Sequence, residues 1–296
     1  MKRLFPLLCI VLWSPFVLAL SPYIQANKVP GTDLKMVMVA VEAKLQSVGF
    51  SVVGRHTPGG VPGYGVVVVT DKGLLEAIRN MGGMAIIGAG IRVGVKSDGT
   101  VSYMNPEYWY RAYYRRDYSK AESAIKAVQE KLAKALGAGK HFGGEVDVSD
   151  LPSYRYMIGM ERFDSDKGEL KTHASFDVAV KTVQDNLAKG VAHSAKVYEV
   201  IMADRKIAVF GVAMNDAKRG ESWWVKKIGP EHIAALPWEI VVVNGKVSAL
   251  YGRYRTALGW PSLGMGTFMG ISDHPDTTAE MLTAVAGGNW EKFSAF

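Results

Sequence analysis

The chain has 296 residues, 48% of them hydrophobic and 21% charged, which is enough to bury one or two ordinary hydrophobic cores. Its single cysteine, Cys9, lies near the N-terminus, so the rest of the chain has no disulfide, no cysteine-ligated zinc and no cysteine nucleophile. The formal charge of +7 is not concentrated in a basic stripe, so the sequence does not indicate a nucleic-acid partner.

The N-terminus has the layout of a secretory signal peptide. Two basic residues precede an apolar run over residues 4–20, which small residues close. Cleavage fits after Ala19 or after Ala26, and we favour the second, which gives a signal peptide of residues 1–26. The run is too short and too interrupted by proline for a membrane-spanning helix. We therefore expect a periplasmic or extracellular protein without a transmembrane segment in the mature chain.

Two stretches of the chain, residues 27–142 and 173–296, show the same order of signals, and a polar linker over 143–172 separates them. Each begins with an amphipathic helix that stops at a glycine, and two strand-like runs rich in β-branched residues follow. In the first copy, the predicted elements are helix 34–48, strands 50–55 and 65–69, helical segment 74–80, hairpin 91–103 and a helix from Pro106 that either ends early or merges with 119–136.

The hairpin is the clearest element that the two copies share. Asp98-Gly99 and Asn244-Gly245 supply the positive φ angles of tight turns, and Gly-x-Val-Ser follows in both copies. The sequence therefore predicts an α+β fold of two tandem domains, each an antiparallel sheet with helices. The predicted elements of the second copy are helix 176–187, strands 196–202 and 207–212, helical segment 230–235, hairpin 238–248 and helix 277–286.

Several short segments carry a resemblance to a known family. Ile91-Arg92-Val93, Asp98-Gly99, 101–103 and Asn105-Pro106-Glu107-Tyr108 resemble the closing motif of the family named "domain of unknown function 302", and 207–211 with 235–237 are similar to it in the second copy. The resemblance implies domains similar to the TATA-box-binding-protein fold. Because family members often dimerise, it also implies a homodimer or, within one chain, a pseudo-twofold pair.

Candidate ligand-binding residues come from one histidine and from aromatic clusters. The histidine ends a strand before the Pro- and Gly-rich loop 57–63; the alternative is a loop histidine bonded to backbone. The aromatic and arginine cluster suits stacking on a planar ligand or docking of an acidic partner, and the alternative is tyrosines packed on the sheet with arginines reaching water. Two adjacent tryptophans are predicted to be exposed on a loop. The candidates are His56, Tyr103, Tyr108, Trp109, Arg111, Trp223 and Trp224.

Met265, Met269 and His274 are the weak candidates for a metal site. Thioethers at this spacing could bind Cu(I) in an oxidising compartment. The alternative is that the methionines pack in a bent strand or loop on the domain. The histidines show no three- or four-residue spacing typical of metal ligands, so the sequence assigns no cofactor.

These patterns favour a non-enzymatic exported protein that binds a small molecule or an envelope protein at the junction of its two domains. The alternative is a metal- or haem-handling accessory factor for periplasmic redox enzymes. A hydrolase is the third hypothesis.

Overall fold

The fold is α+β, as the sequence predicts, with two large antiparallel sheets and helices packed on them. The structure is a computed structural model, and it describes residues 18–290. Cys9 and most of the predicted signal peptide, residues 1–17, lie outside the described residues. Within 18–290, no helix combines the length and the apolar character needed to cross a membrane.

The first half of the chain forms a six-stranded sheet and one two-stranded ribbon. Its first helix begins where the sequence predicts, at Leu34, and Asp33 caps it by accepting a hydrogen bond from the Met36 amide. The elements are β1 (Ala19–Leu20), β2 (Tyr23–Gln25), α1 (Leu34–Ser47), β3 (Ser51–His56), β4 (Tyr64–Thr70), α2 (Lys72–Met81), β5 (Ile91–Lys96), β6 (Val101–Met104), α3 (Pro106–Tyr114), α4 (Tyr118–Leu136), β7 (His141–Phe142) and β8 (Val146–Asp147).

The second half forms a five-stranded sheet. Ser175 caps its first long helix by accepting from the Val178 amide. The elements are β9 (Glu169–Thr172), α5 (Phe176–Ala188), β10 (Ser194–Met202), β11 (Ile207–Met214), α6 (Glu221–Ile228), β12 (Trp238–Val243), β13 (Lys246–Ser248), α7 (Gly252–Gly259), α8 (Met265–Met269) and α9 (His274–Val285).

The two sheets have the same strand order. It is β3-β4-β5-β6-β2 in the first sheet, which β7 extends, and β10-β11-β12-β13-β9 in the second. Both edge strands also carry a bulge at the same place, with Val53 and Val197 as the extra residues. The hairpins around Asp98-Gly99 and Asn244-Gly245 thus occupy the same position in their sheets.

Each half sends a short 3₁₀ helix onto the sheet of the other half. We call Gly83–Ala89 the first bridging segment and Pro230–Ala235 the second bridging segment. The first packs on β11 and β12, and the second packs on β4, β5 and β6. The edge strands β3 and β10 also lie side by side, because Gly54 leaves room for the Val197 carbonyl. The halves therefore share one core.

A buried ionic cluster lies between the halves. Arg92 on β5 pairs with Glu239 on β12, and Arg255 on α7 donates from Nε to the other Glu239 oxygen over 3.0 Å. All three side chains are almost fully buried. Both guanidinium groups lie over the ring of Trp109, whose centroid is 4.5 Å from Cζ of Arg92 and 4.8 Å from Cζ of Arg255. Two buried cations therefore share one buried carboxylate.

Short strands that the sequence analysis did not identify complete both sheets. β2 pairs with β6, and β9 pairs with β13 in the same position of the second sheet. The segment 143–172, predicted as a linker, contains β8 and β9 and buries Leu151 and Tyr154. It is therefore part of the packed fold.

The helix predicted from Pro106 ends before the next one begins. Arg115 has a φ of 53°, and the 3₁₀ turn Arg115–Asp117 separates α3 from α4. A positive φ at a residue other than glycine cannot continue a helix, so the chain turns here.

We expect Glu239→Gln to lower the free energy of unfolding by about 3–5 kcal/mol, because it leaves two buried guanidinium groups without a counter-ion. Urea unfolding of the purified protein measures this loss. The control is Asp185→Asn in the exposed pair with Lys181, which should cost less than about 1 kcal/mol. Equal effects of the two substitutions would contradict the central role of the cluster.

We expect a chain that begins at Leu20 to fold and one that begins at Asn27 not to. The shorter chain lacks β2, whose Tyr23 and Ile24 are buried and whose Tyr23 hydroxyl donates to the Gly259 carbonyl. Of the two predicted cleavage sites, only the one after Ala19 keeps β2 in the chain. Cooperative urea unfolding of both chains is the measurement, and a cooperative transition in the shorter chain would show that β2 is dispensable.

Candidate functional site

The aromatic residues predicted to form a binding rim lie in the core instead. Tyr103, Tyr108 and Trp109 are buried, and their polar atoms donate to backbone carbonyls. Arg111 is half-buried and pairs with Glu107 one helical turn away. The alternative interpretation, in which the rings pack and the arginine reaches water, is the one that the structure supports.

His56 is buried beneath its loop and does not face an open pocket. Its Nε2 lies 2.6 Å from Oε1 of Glu221, the first residue of α6, and both side chains are almost fully enclosed. This contact joins β3 of the first half to a helix of the second half. The pair therefore lies at the contact between the halves, where a ligand contact was predicted.

The two adjacent tryptophans lie on a helix, α6, and they differ in burial. Trp224 is fully buried against the rings of Trp238, Trp260 and His274, so the prediction that it is exposed is wrong. Trp223 is half-exposed, and the Lys227 ammonium lies 3.9 Å from its ring centroid. A helix turns successive side chains by about 100°, so neighbours in sequence can face the core and the solvent.

The structure does not bring the three metal candidates together. Met265 and Met269 are exposed on α8, whereas His274 is buried and hydrogen-bonds Thr256 and Thr278. Burial lowers the pKa of His274 to about 3, so the side chain is neutral at ordinary pH. Within residues 18–290, no three His, Cys, Asp or Glu side chains are placed to hold a metal ion.

A cleft of about 350 Å³ opens where the second bridging segment crosses the first sheet. Its volume is in the range of roughly 300–1,000 Å³ that small-molecule sites occupy. The floor is the sheet face opposite α1, and the second half supplies one wall. The lining residues are Gln25, Tyr64, Gly94, Val95, Lys96, Thr100, Ser102, Lys140, Phe142, Glu231 and Ile233.

Gly94 and Ser102, paired on neighbouring strands, set the depth of this cleft. A Cβ at residue 94 would lie 2.7 Å from Cγ2 of Ile233 and 3.1 Å from the Ser102 hydroxyl, so only glycine fits beneath the bridging segment. Ser102 is only 7% exposed, and its hydroxyl forms no hydrogen bond with any residue from 18 to 290. A hydroxyl that lines a cleft and has no protein partner is available to hydrogen-bond a ligand.

The same position of the second sheet is filled. Strand register places Val241 where the first sheet has Gly94, and Ser248 where it has Ser102. There Met84 of the first bridging segment covers the serine, with Sδ 3.6 Å from the hydroxyl oxygen. An ion pair between Lys246 and Glu169 lies next to it. One of the two related positions is therefore open and the other is closed.

The charged groups around the cleft differ in whether they form ion pairs. Lys96 is held by Asp98 over 2.7 Å, and the hydrogen bonds from Lys96 and Thr100 lower the pKa of that carboxyl well below its usual value. Lys140, by contrast, forms no ion pair with any described residue. Its ammonium group is free to bind an anion at the cleft, and the Glu231 carboxylate, which no described lysine or arginine pairs with, is free to bind a cation.

His232 lies behind the cleft between the rings of Tyr23, Phe142 and Trp260. Burial lowers its pKa, while Glu231, whose carboxylate is 3.3 Å from Nδ1, opposes that shift. Its neutral ring thus supports the apolar wall that Phe142 presents to the cleft.

The sequence analysis missed all the residues that line the cleft. A glycine in the middle of a β-branched strand, Gly94, was the available signal, since such a glycine often marks a close approach. Its partner Ile233 is 139 positions away, and no local pattern predicts that contact.

No family model, curated protein sequence or solved structure matches the chain. The resemblance to the "domain of unknown function 302" family therefore stays a prediction.

We expect acid to destabilise the protein partly through His274. Its folded-state pKa of about 3 lies below the unfolded value near 6.5, so its contribution is complete above pH 6.5 and is lost as the pH falls. Relative to His274→Gln, the wild type should lose about 1.4 kcal/mol of unfolding free energy for each pH unit between 6.5 and 4.

Urea unfolding at a series of pH values measures the difference. His141→Asn, at an exposed position, is the control and should follow the wild type. A constant difference between wild type and His274→Gln across this pH range would contradict the assignment.

Proposed function

We propose that the protein is a non-enzymatic binding protein that acts outside the cytoplasm and holds a small organic molecule in the cleft under the second bridging segment. The observation that carries this proposal is the Ser102 hydroxyl, which lines an open cleft and forms no hydrogen bond with any residue from 18 to 290. The equivalent hydroxyl of Ser248 is covered by Met84. A structural role alone would not require the two positions to differ.

The lining indicates the chemical class of the ligand. Tyr64, Phe142 and Ile233 offer apolar and aromatic surface, while Ser102 can donate or accept a hydrogen bond. Lys140 supplies a positive charge, and Glu231, which no described lysine or arginine pairs with, supplies a negative one. These groups together suit a molecule with a flat apolar part and a zwitterionic polar part.

Duplication of one module explains how such a junction arises. The shared strand order, the matching bulges and the reciprocal bridging segments support two related halves that pack as a pseudo-twofold pair. Duplicated domains can form within one chain an interface that single domains form by dimerising. After duplication, each half can change independently, so one cleft can close while the other stays open.

The described residues give less support to the other hypotheses. A metal- or haem-handling role would need Met265, Met269 and His274 to converge, and they do not. A hydrolase would need a histidine bonded to both a carboxylate and a hydroxyl. His56 meets the carboxylate only, and His274 meets hydroxyls only, so neither histidine fits within residues 18–290.

We expect protein purified from its own cells to carry a small organic molecule that mass spectrometry under non-denaturing conditions detects. Ser102→Val should lower the bound fraction about fivefold, because one ligand hydrogen bond contributes about 1 kcal/mol. The matched control is Ser248→Val, which changes the equivalent hydroxyl and should leave binding unaltered. A protein without any bound species, or equal losses in the two variants, would count against the proposal.

A further inference from the structure

Four exposed apolar side chains lie on two segments that contact each other. They are Met157, Ile158, Met265 and Met269, which we call the apolar patch. Ile158 is 89% exposed and Met269 is 61% exposed. Apolar side chains this exposed are usually scattered singly on a protein surface, so a group of four needs an explanation.

The two segments are held side by side. The ring of Tyr156 stacks on that of Phe268 with centroids 5.1 Å apart, and the Tyr156 hydroxyl donates to the Leu263 carbonyl. Met157 and Ile158 directly follow the first of these rings, and Met265 and Met269 flank the second. The patch is therefore a single surface on a fixed support.

Positive charge surrounds the patch. Arg155 and Arg162 line one groove with Met157 and Ile158, and neither arginine forms an ion pair with a residue from 18 to 290. On the other side, the Lys227 ammonium donates to the Gly270 carbonyl next to Met269, and it also covers the half-exposed Trp223.

The nearby carboxylates do not cancel this charge. Glu161 is held by Lys167 and Arg253, and Asp164 is held by Arg115. Asp150 also lines the groove, opposite two arginines. Asp273, which lines a groove with Trp223, adds a carboxylate on the side of Lys227, so the three cations Arg155, Arg162 and Lys227 against Asp150 and Asp273 leave the rim with a net positive charge.

We propose that the apolar patch docks the protein on an anionic lipid bilayer. Aliphatic and thioether side chains at the tips of two segments can enter the boundary between headgroups and acyl chains, while surrounding cations bind acidic headgroups. A protein interface of ordinary strength has aromatic anchors at its centre. Here the aromatic rings are engaged with each other beneath the patch, and the chain's formal charge, +5 once Lys2 and Arg3 leave with the predicted signal peptide, also favours an acidic surface.

The test is co-sedimentation with vesicles of phosphatidylcholine alone and of phosphatidylcholine with one quarter phosphatidylglycerol. The wild type should bind the anionic vesicles and not the neutral ones, and 0.5 M salt should weaken binding. Ile158→Asp with Met269→Asp should reduce binding at least tenfold. Arg155→Gln with Arg162→Gln should reduce binding to the anionic vesicles by more than tenfold, because each cation removed lowers the affinity about fivefold.

The matched control is Met36→Asp with Val39→Asp, which introduces the same charge at two similarly exposed positions of α1, 53% and 57% exposed. It should bind as the wild type does, and thermal unfolding should show that all variants fold. The proposal would be overturned if the patch variant bound anionic vesicles as well as the wild type does, or if the control variant lost as much binding as the patch variant. It would also be overturned if the wild type bound neutral vesicles as well as anionic ones. A wild type that ignores vesicles and instead self-associates through the patch in sedimentation velocity would overturn it as well.

Discussion

The structure depends on one buried ionic cluster, in which Arg92 of one half and Arg255 of the other share the carboxylate of Glu239. Removing charges from water costs free energy, and a buried pair offsets that cost only when its geometry and hydrogen bonds are good. Carbonyls of the second bridging segment meet this need: Ala234 accepts from Arg92, and Ala235 accepts from Arg255. The segment is thus fixed at the junction, and with it one wall of the cleft.

The cleft follows from this fixed crossing and from one local difference between the sheets. The second bridging segment is held over β5, where Gly94 and Ser102 are small enough to leave open space. At the related position of the second sheet, Val241 and Met84 fill that space. The open site is therefore a product of small side chains under a rigid cover. Such a site needs no flexible loop to form.

Periodicity and turn chemistry predicted the long elements well. The helices beginning at Asp33 and Ser175 and the hairpins at Asp98-Gly99 and Asn244-Gly245 have local causes, a cap or a positive φ, so the sequence displays them. β2 and β9 have three and four residues, and they are strands only because a sheet edge far along the chain pairs with them. The cleft was missed for the same reason, because its lining residues come together only through contacts between distant parts of the chain. Ring clusters such as that of Trp224 look alike in sequence whether they face solvent or core.

The opposite charges at the junction restrict how the halves can associate. Strand register places Arg92 and Glu239 at the same position of their respective sheets, and they meet each other at the centre of the molecule. A pair assembled from two first halves would set arginine against arginine in a dry interior without a carboxylate, whereas the second half carries Arg255 beside its own Glu239. The first half thus disfavours association with a second copy of itself, and covalent linkage in one polypeptide supplies the carboxylate that its Arg92 needs at a fixed one-to-one ratio.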